Sequence, residues 1–289
     1  MKRIGITSDC ACDLPEEYFE MHDVGIMYFY ITTDTGRFRD GCEVDSQNII
    51  EYLERGGVKA ATCAPQPMEY EIFFGRQLEK YDEIIHISLS DRLSNSYINA
   101  QTALSFMGRD SGRISVIDSE QFSSGMAFMI IKAVEMRDSG CSTSEIIREC
   151  SRVRECISTS FIAKNADYLY RNGLTGKAVR TVCSAMLIHP VLSLKNGRVA
   201  LKTLEIGDYG KSVRNYIRSE LSRSRAIDRK RVFITHAGCG VEMLAAVKAE
   251  VKKLCCFDEV VVAKASATIS SNCGAGSIGV LFLKNNTNS

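Results

Sequence analysis

The stretch that most constrains the fold is residues 83–104, where a short apolar run turns into a polar loop and then a helix. Residues 84–89 are almost all apolar, as expected of a strand that is buried on both faces. Residues 90–96 are too polar and too prone to turns to extend that strand. Apolar residues then return at helical spacing, with Ser94 or Asn95 as the predicted N-cap. We therefore predict a strand–loop–helix unit.

Similar units recur through the first 157 residues. Further predicted strands are 4–7, 26–31 and 114–118, and predicted helices begin near residues 13, 45, 68, 119 and 142. The helix near residue 13 is predicted to start with Asp13 as N-cap and Glu16 completing a capping box. Strands alternating with helices at this spacing are typical of right-handed βαβ units and a parallel sheet. Ligands bind at the carboxyl ends of such strands, so Ser8, Thr62, residues 90–96 and Ser119 are expected on one rim.

The pattern changes after about residue 158. Asn196-Gly197 lies between two apolar runs and predicts a β-hairpin with a tight turn. The remaining predictions are helices 208–225 and 241–254, strands 232–235, 259–263 and 278–283, and a glycine-containing turn at 273–276. The predicted fold class is α/β, with an N-terminal parallel-sheet α/β domain (1–157), a smaller α+β C-terminal domain (158–285) and a polar tail (286–289).

Charge and hydropathy exclude several classes of protein. A net charge of +1 argues against a general nucleic-acid binder. Residues 202–231 nevertheless carry nine basic and four acidic side chains, which predicts either a solvated helix face or a docking surface for an acidic partner. No apolar leader follows Met1-Lys2-Arg3, and the longest apolar stretch, 125–131, is too short to span a bilayer. We expect a cytoplasmic protein without stable membrane insertion.

Neither a metal site nor a catalytic centre is predicted. The twelve cysteines include no Cys-x-x-Cys pair, and the four histidines lie in unrelated elements, so we expect reduced thiols, no metal and no cofactor. Cys63 and Cys273 lie in predicted loops but have no recognisable base beside them in the sequence. The hydroxyl-rich loop 90–96, placed before a helix, is either an anion-binding cradle or an ordinary capped turn.

Five short motifs occur in order along the chain: SDCACDLP (8–15), TCAPQP (62–67), LSNSY (93–97), VIDS (116–119), and HPVL (189–192) followed by Asn196-Gly197. Together they resemble the DegV family of fatty-acid-binding proteins over nearly the whole length. The resemblance implies a parallel-sheet α/β domain beside a smaller α+β domain, with a long-chain fatty acid buried in a tunnel between them.

The resemblance also implies a head-group site for the fatty-acid carboxylate. Thr62 and Ser94 would hold it, within reach of one common oxygen atom, with Asn95 and Asn272 as further contacts. Additional rim positions are Ser8, Ser119 and Gly274. In bacteria that have a fatty-acid kinase, such proteins present the bound acid to the kinase and carry the acyl phosphate, so the kinase is an expected partner. The resemblance implies a binding protein rather than an enzyme.

Two departures from the family pattern bear on the kinase role. Leu174 stands where the family has an arginine, and Asn272 stands where it has a histidine. Neither replacement carries a positive charge that could meet the charge of a buried phosphate. We therefore expect fatty-acid binding with little or no acyl-phosphate carriage. The alternative is an enzyme or regulatory protein acting on a small carboxylated or phosphorylated ligand.

Overall fold

The computed structural model describes residues 2–57, 59–185, 187–223 and 226–285. Its helices are α1 (Glu16–Met21), α2 (Ser46–Glu54), α3 (Pro67–Leu78), α4 (Ser96–Leu104), α5 (Ser124–Asp138), α6 (Thr143–Cys156), α7 (Asp167–Arg171), α8 (Lys177–Ala185), α9 (Tyr209–Arg223), α10 (Val241–Leu254) and α11 (Ala267–Cys273), with two short 3₁₀ turns at Cys10–Cys12 and Gly108–Arg113. Within the described ranges, no helix is both long and apolar enough to cross a membrane. The predicted tail 286–289 lies outside them.

The strands are β1 (Ile4–Asp9), β2 (Val24–Met27), β3 (Tyr30–Thr32), β4 (Arg37–Arg39), β5 (Ala61–Cys63), β6 (Glu83–Ser88), β7 (Ile114–Asp118), β8 (Ile157–Ile162), β9 (Ile188–Lys195), β10 (Arg198–Ile206), β11 (Ile227–His236), β12 (Glu259–Lys264) and β13 (Ile278–Lys284). They form sheets of four, six and three strands. Alternating strands and helices thus account for most of the chain, as the sequence predicts.

The chain divides into two compact units of similar size. The first contains Met1–Val44, Ala61–Glu155 and Asn196–Arg198, and the second contains Asp45–Ala60, Cys156–Lys195 and Val199–Ser289. The main change of unit, after Glu155, falls two residues before the boundary expected from the sequence. The segment around α2, expected in the N-terminal domain, belongs to the second unit.

The first unit is built on a four-stranded parallel sheet with the order β2-β1-β6-β7. Every residue of β1 is buried, and so is every residue of β6 except Glu83 at its start. This burial explains why both strands are largely apolar. Tyr70 and Phe74 of α3 pack beneath β6 with Ala100 and Ala103 of α4. The parallel-sheet domain predicted from the sequence is confirmed.

The predicted strand 26–31 is wrong, because it joins two strands of different sheets. β2 belongs to the parallel sheet, whereas β3 lies at the centre of a small antiparallel sheet, β4-β3-β5. Phe29 lies between them, and its backbone leaves the ladder: its N–H donates to Cys10 Sγ at 3.2 Å and its carbonyl accepts from Asp40 N at 2.9 Å. The run of residues 26–31 therefore gives no sign in the sequence that the chain leaves one sheet and enters another.

Two predicted helix starts are also wrong, for one tertiary reason. Asp13 adopts a left-handed backbone conformation, and its carboxylate accepts from Ser123 Oγ at 2.5 Å instead of capping α1. α1 begins later, at Glu16. α5 likewise begins at Ser124 rather than Ser119, after a turn that ends at Ser123 with φ 55° and ψ −149°. Such backbone strain persists only where the surroundings fix it, and here the bond to Asp13 does so.

The second unit contains the mixed six-stranded sheet β10-β9-β8-β13-β11-β12. β11 and β12 are parallel, and β13 is antiparallel to both β11 and β8. The predicted hairpin is confirmed between β9 and β10, with positive φ at both Asn196 (50°) and Gly197 (73°), as a type I′ turn requires. Four elements of this unit were not predicted from the sequence: β8, α7, α8 and α11.

α2 packs within the second unit against α11. Asp45 caps α2 by accepting from Asn48 N at 2.9 Å, so this predicted helix start is confirmed. The same carboxylate forms an ion pair with Lys264 Nζ at 2.7 Å. α2 is thus held at its N-terminus by a residue at the end of β12.

Candidate functional site

Asp9, at the carboxyl end of β1, is a fully buried carboxylate surrounded by polar groups. Its Oδ2 accepts from Ser88 Oγ and from Leu89 N, each at 2.8 Å. Its Oδ1 accepts from Tyr70 Oη at 2.7 Å. His86 Nε2 lies 3.3 Å from the same oxygen, close enough for electrostatic attraction but not aligned as a hydrogen bond. One carboxylate therefore joins β1, β6, α3 and the start of the loop 89–95.

The environment keeps Asp9 ionised. Burial alone would raise the pKa of its carboxyl group, because a charge is poorly solvated inside the protein. The interaction with His86 and the hydrogen bonds from Tyr70 and Leu89 outweigh burial, so the pKa lies below its usual value of 3.8. An ionised carboxylate accepts hydrogen bonds and donates none. All polar neighbours of Asp9 must therefore point their protons toward it.

The network continues into the first turn of α4. Ser88 Oγ lies 3.0 Å from Ser96 Oγ, and both side chains are fully buried. Ser96 N donates to Ser94 Oγ at 3.2 Å. Asn95 precedes α4, as one alternative of the sequence analysis predicts, but its side chain makes no capping bond. Ser94, rather than Asn95, thus supplies the side-chain oxygen for this helix start.

Ser94 is the predicted head-group residue whose hydroxyl is best placed to donate. The side chain is half-buried, and its oxygen already accepts the N–H of Ser96. Within the described part of the chain its own proton has no acceptor. A hydroxyl held in place by one bond, with its proton unused, is suited to an acceptor such as a carboxylate.

Thr62 lies in β5, not in the loop expected from the sequence. It is half-buried and pairs with Ile31 of β3. Three residues later, Pro65 O accepts from Asn99 Nδ2 of α4 at 2.7 Å. The segment that follows Thr62 therefore lies against the helix that follows Ser94. Their common reach to one oxygen atom stays a prediction.

The two serines proposed as extra rim residues are fully buried, and their protons are used inside the first unit. Ser8 Oγ donates to Ile87 O at 2.8 Å, which ties β1 to β6. Ser119 Oγ donates to Gln121 O at 3.2 Å and accepts Gln121 N at 3.0 Å, closing the turn before α5. In this structure both hydroxyls therefore stabilise the sheet edge and have no free proton for a ligand.

The remaining predicted site residues belong to the second unit. Asn272, in α11, is half-buried and donates from Nδ2 to Thr268 O at 2.8 Å, so one of its two amide protons is already used. Gly274 ends the helix with φ 87°, and a Cβ there would lie 2.6 Å from the ring of Tyr168. Leu174 is half-buried and uncharged. These positions offer amide and backbone groups but no cation.

Several charges of the basic segment 202–231 are paired within the second unit. Lys202 pairs with Glu220 at 2.6 Å, and Arg218 pairs with Glu250 at 2.6 Å. Arg231 pairs similarly with Glu259. The side chains of Arg223 and Arg225 lie outside the described residues. The local excess of positive charge is therefore smaller than the sequence count suggests.

The cysteines are all free thiols, and burial makes several of them poor nucleophiles. Burial raises the pKa of Cys10 well above its usual value and raises that of Cys12 to about 12. Cys273 is buried, and Cys63 Sγ donates to the carbonyl of Ala64 at 3.5 Å. Among the described residues, no three His, Cys, Asp or Glu side chains are grouped to hold a metal ion.

The network around Asp9 was not predicted from the sequence. A signal was available: His86 is the one strongly polar residue inside the otherwise apolar core of β6. A buried histidine in such a strand needs a polar partner, and Asp9 ends the neighbouring strand β1. Sequence alone does not give strand order, so the pairing was not foreseeable.

Comparison with known proteins decides the family. The family model described as "Uncharacterised protein, DegV family" matches residues 3–285. The chain belongs to the DegV family. A DegV domain-containing protein from Deinococcus radiodurans is 25% identical over 283 residues, which cover 96% of this chain and 97% of the relative.

Solved DegV structures share the fold. The structure described as fatty acid binding of a DegV family protein from Thermus thermophilus superposes with a TM-score of 0.87 at 25% identity, covering 98% of this chain and 100% of that one. A DegV family protein from Eubacterium eligens, loaded with heptadecanoic acid, superposes with a TM-score of 0.86 at 19% identity and the same coverage. The family resemblance seen in the sequence motifs is therefore confirmed.

Proposed function

We propose that this DegV family protein binds a long-chain fatty acid and that Ser94 and Thr62 hold its carboxylate. The observation that carries the proposal is the Ser94 hydroxyl, which accepts the N–H of Ser96 and has no acceptor for its own proton among the described residues. The contact between Asn99 and Pro65 supports a role for the neighbouring segment that carries Thr62. DegV proteins described as binding or carrying fatty acids give the ligand class.

The acyl chain would supply most of the affinity and the hydroxyls most of the orientation. Burying ~15 methylenes at ~0.8 kcal/mol each far outweighs two hydrogen bonds of about 1 kcal/mol. Asn95 and Asn272 are secondary head-group candidates. We place Gly274 in a supporting role, since its backbone conformation lets α11 end closely against Tyr168.

The alternative of an enzyme gains no support from the site. A catalytic base beside Ser94 would have to be accessible to substrate. Asp9 and His86, which connect to this loop through the buried network, have fully buried side chains, and Asp91 in the loop itself is engaged in an ion pair with Arg92 at 3.2 Å. A binding protein therefore fits the geometry better than a hydrolase or transferase.

Native mass spectrometry of the purified protein tests the ligand class. We expect a co-purifying mass of a C14–C18 fatty acid that is lost on denaturation. Ser94→Ala should weaken binding of a fluorescent fatty acid by about 0.5–2 kcal/mol, because one donor is lost and the tail contacts remain. Ser105→Ala, at the exposed far end of α4, is the matched control and should not change affinity. A thousandfold loss with Ser94→Ala would show that the head group, not the tail, dominates.

Acyl-phosphate carriage for a fatty-acid kinase should be weak. A phosphate carries more charge than a carboxylate and requires a cation when it is buried. Leu174 supplies none, and Asn272 offers only amide protons. The double variant Leu174→Arg, Asn272→His should raise turnover in a reconstituted kinase assay and change fatty-acid affinity little. Phosphorylation of the unaltered protein as fast as that of a family member with both residues would refute this, and Arg171 and Lys177 would be tested next.

A further inference from the structure

Ser90 is the fully buried residue to which the backbone of the loop 90–96 is bonded. Its N–H donates to Gln121 O at 3.0 Å, in the turn that precedes α5. Its carbonyl accepts two N–H groups from the loop, that of Leu93 at 3.0 Å and that of Ser94 at 3.1 Å. The backbone of the candidate head-group residue Ser94 is therefore hydrogen-bonded directly to Ser90.

The Ser90 hydroxyl joins this loop to a turn that is distant in the sequence. It donates to Gly197 O at 2.8 Å and accepts Arg92 N at 3.3 Å. Gly197 lies in the type I′ turn between β9 and β10, and the segment Asn196–Arg198 belongs to the first unit together with the loop. Residues 107 positions apart are thus connected by one buried hydrogen bond.

This contact requires glycine at position 197 for two separate reasons. The backbone has φ 73°, a conformation that residues with a side chain rarely adopt. A Cβ at Gly197 would also lie 2.6 Å from Ser90 Oγ and 3.2 Å from Arg92 Cγ. Any side chain at this position would therefore push the turn away from the loop and break the hydrogen bond from Ser90.

We propose that Ser90 and Gly197 are positioning residues of the head-group site. Their hydrogen bond holds the loop in the conformation that presents the Ser94 hydroxyl to a fatty-acid carboxylate. The inference rests on the proposed fatty-acid function and adds to it the hairpin turn, which lies outside the loop in the sequence. A hydroxyl that is held in its bound position before the ligand arrives loses less conformational freedom on binding, so its hydrogen bond contributes more to affinity.

Hydrogen exchange without added ligand tests the positioning directly. The amides of Leu93 and Ser94 should be protected in the unaltered protein, because each donates to Ser90 O. Ser90→Ala and, separately, Gly197→Ala should speed exchange in the peptide that contains residues 90–96 by about two- to tenfold, the range expected for one lost hydrogen bond. Unprotected amides in the unaltered protein, or unchanged exchange in both variants, would overturn the proposal.

A double-mutant cycle with palmitic acid tests the link to Ser94. Ser90→Ala should weaken palmitate binding about two- to tenfold in the otherwise unaltered protein. In the Ser94→Ala background the same change should weaken binding less than about twofold, because the hydroxyl that Ser90 positions is gone. Equal losses in both backgrounds would overturn the positioning role, since a general weakening of the fold lowers affinity whether or not Ser94 has its hydroxyl.

Gly108→Ala is the matched control for Gly197→Ala. Gly108 lies in the first unit and also has a positive φ, 55°, but a Cβ there would meet no atom of the described residues within 4 Å. Its replacement strains the backbone without touching the loop, so palmitate affinity and exchange of residues 90–96 should not change. Equal effects of the two glycine variants would overturn the proposal. If Ser90→Ala does not fold, Gly197→Ala breaks the same hydrogen bond from its other end and takes its place in the cycle.

The two measurements separate this inference from the proposed function. Palmitate binding by the unaltered protein, with equal losses in the cycle, overturns the positioning role and leaves the fatty-acid function standing. Failure of the unaltered protein to bind palmitate overturns the proposed function together with the role of Ser90 and Gly197 in ligand binding.

Discussion

The two units hold their sheets in place with different kinds of buried hydrogen-bonding group. In the first unit a single buried carboxylate, Asp9, accepts hydrogen bonds from the side chains and backbone of three other elements. In the second unit phenol hydroxyls donate to backbone carbonyls: Tyr216 Oη donates to Ser160 O at 2.8 Å, and Tyr209 Oη donates to Gly276 O at 2.5 Å. The first arrangement depends on a charge, whereas the second is neutral.

His189 extends the pattern of the second unit. Its two ring nitrogens lie 2.6 Å from Lys164 O and 3.1 Å from Gly207 O, and in a neutral ring one of the two nitrogens donates to its carbonyl. Carbonyls are present whatever the side chains are, so this arrangement demands little of the surrounding sequence. A buried carboxylate requires hydrogen-bond donors at fixed positions around it, and these donors must direct their protons toward it. The unit that contains Asp9 also contains Thr62 and Ser94.

The largest expected effect comes from deleting the charge. Asp9→Ala leaves the donors from Tyr70, Ser88 and Leu89 without their acceptor and opens a small cavity. We expect a loss of about 3–5 kcal/mol in the free energy of unfolding, measured by urea denaturation at pH 7. A loss below about 1 kcal/mol would mean that water or a neighbouring group replaces the carboxylate, and the contrast between the units would disappear.

A smaller and pH-dependent effect is expected for Asp9→Asn. The amide oxygen can still accept from Leu89 N and Ser88 Oγ, so the cost at pH 7 should be about 1.5–3 kcal/mol, the range for hydrogen bonds to a charged group. The pKa of Asp9 is lowered on folding, so its charge stabilises the protein above pH 3.8, and this contribution is lost as pH falls below that value. The difference in unfolding free energy between the wild type and the variant should therefore shrink from pH 7 toward pH 3. A constant difference would contradict the assignment.

The smallest effect is expected in the second unit. Tyr216 Oη also accepts Val280 N at 3.0 Å, so Tyr216→Phe leaves a backbone donor and the acceptor Ser160 O unpaired at a cost of about 1–2 kcal/mol. Burial raises the pKa of Tyr216 far above its usual value, so the hydroxyl stays protonated. Thermal unfolding at pH 4 and pH 7 should show the same cost. A cost that differs between pH 4 and pH 7 would show that the hydrogen bonds of Tyr216 depend on a group that titrates in this range.

Local signals in the sequence predicted much of the fold. The apolar run of β6, the helix start near residue 45 and the Asn196-Gly197 turn each depend on a few neighbouring residues, and each was predicted correctly. The errors arose where a distant partner decides the conformation. The Asp13 carboxylate accepts a hydrogen bond from Ser123, 110 residues away in the sequence, and the conformational preferences of nearby residues do not predict that bond.

The same distinction applies to the candidate site. The family resemblance proposed Ser94 and Thr62 as head-group residues, and the hydroxyl-rich loop 90–96 before a helix is visible in the sequence as either an anion cradle or a capped turn. The hydrogen-bond network around Asp9 was not visible, because it depends on Asp9 and Ser88 meeting across 79 residues.

The placement of α2 in the second unit has a consequence for synthesis of the chain. Asp45 and Lys264, which hold α2 in place, are 219 residues apart. On the ribosome α2 emerges early, but its packing partner α11 emerges only when the chain is nearly complete. The nascent segment around residues 45–60 therefore stays unpacked while the strands of the parallel sheet, which precede and follow it in the sequence, are synthesised. A chain truncated before residue 264 would leave that helix permanently without its partner.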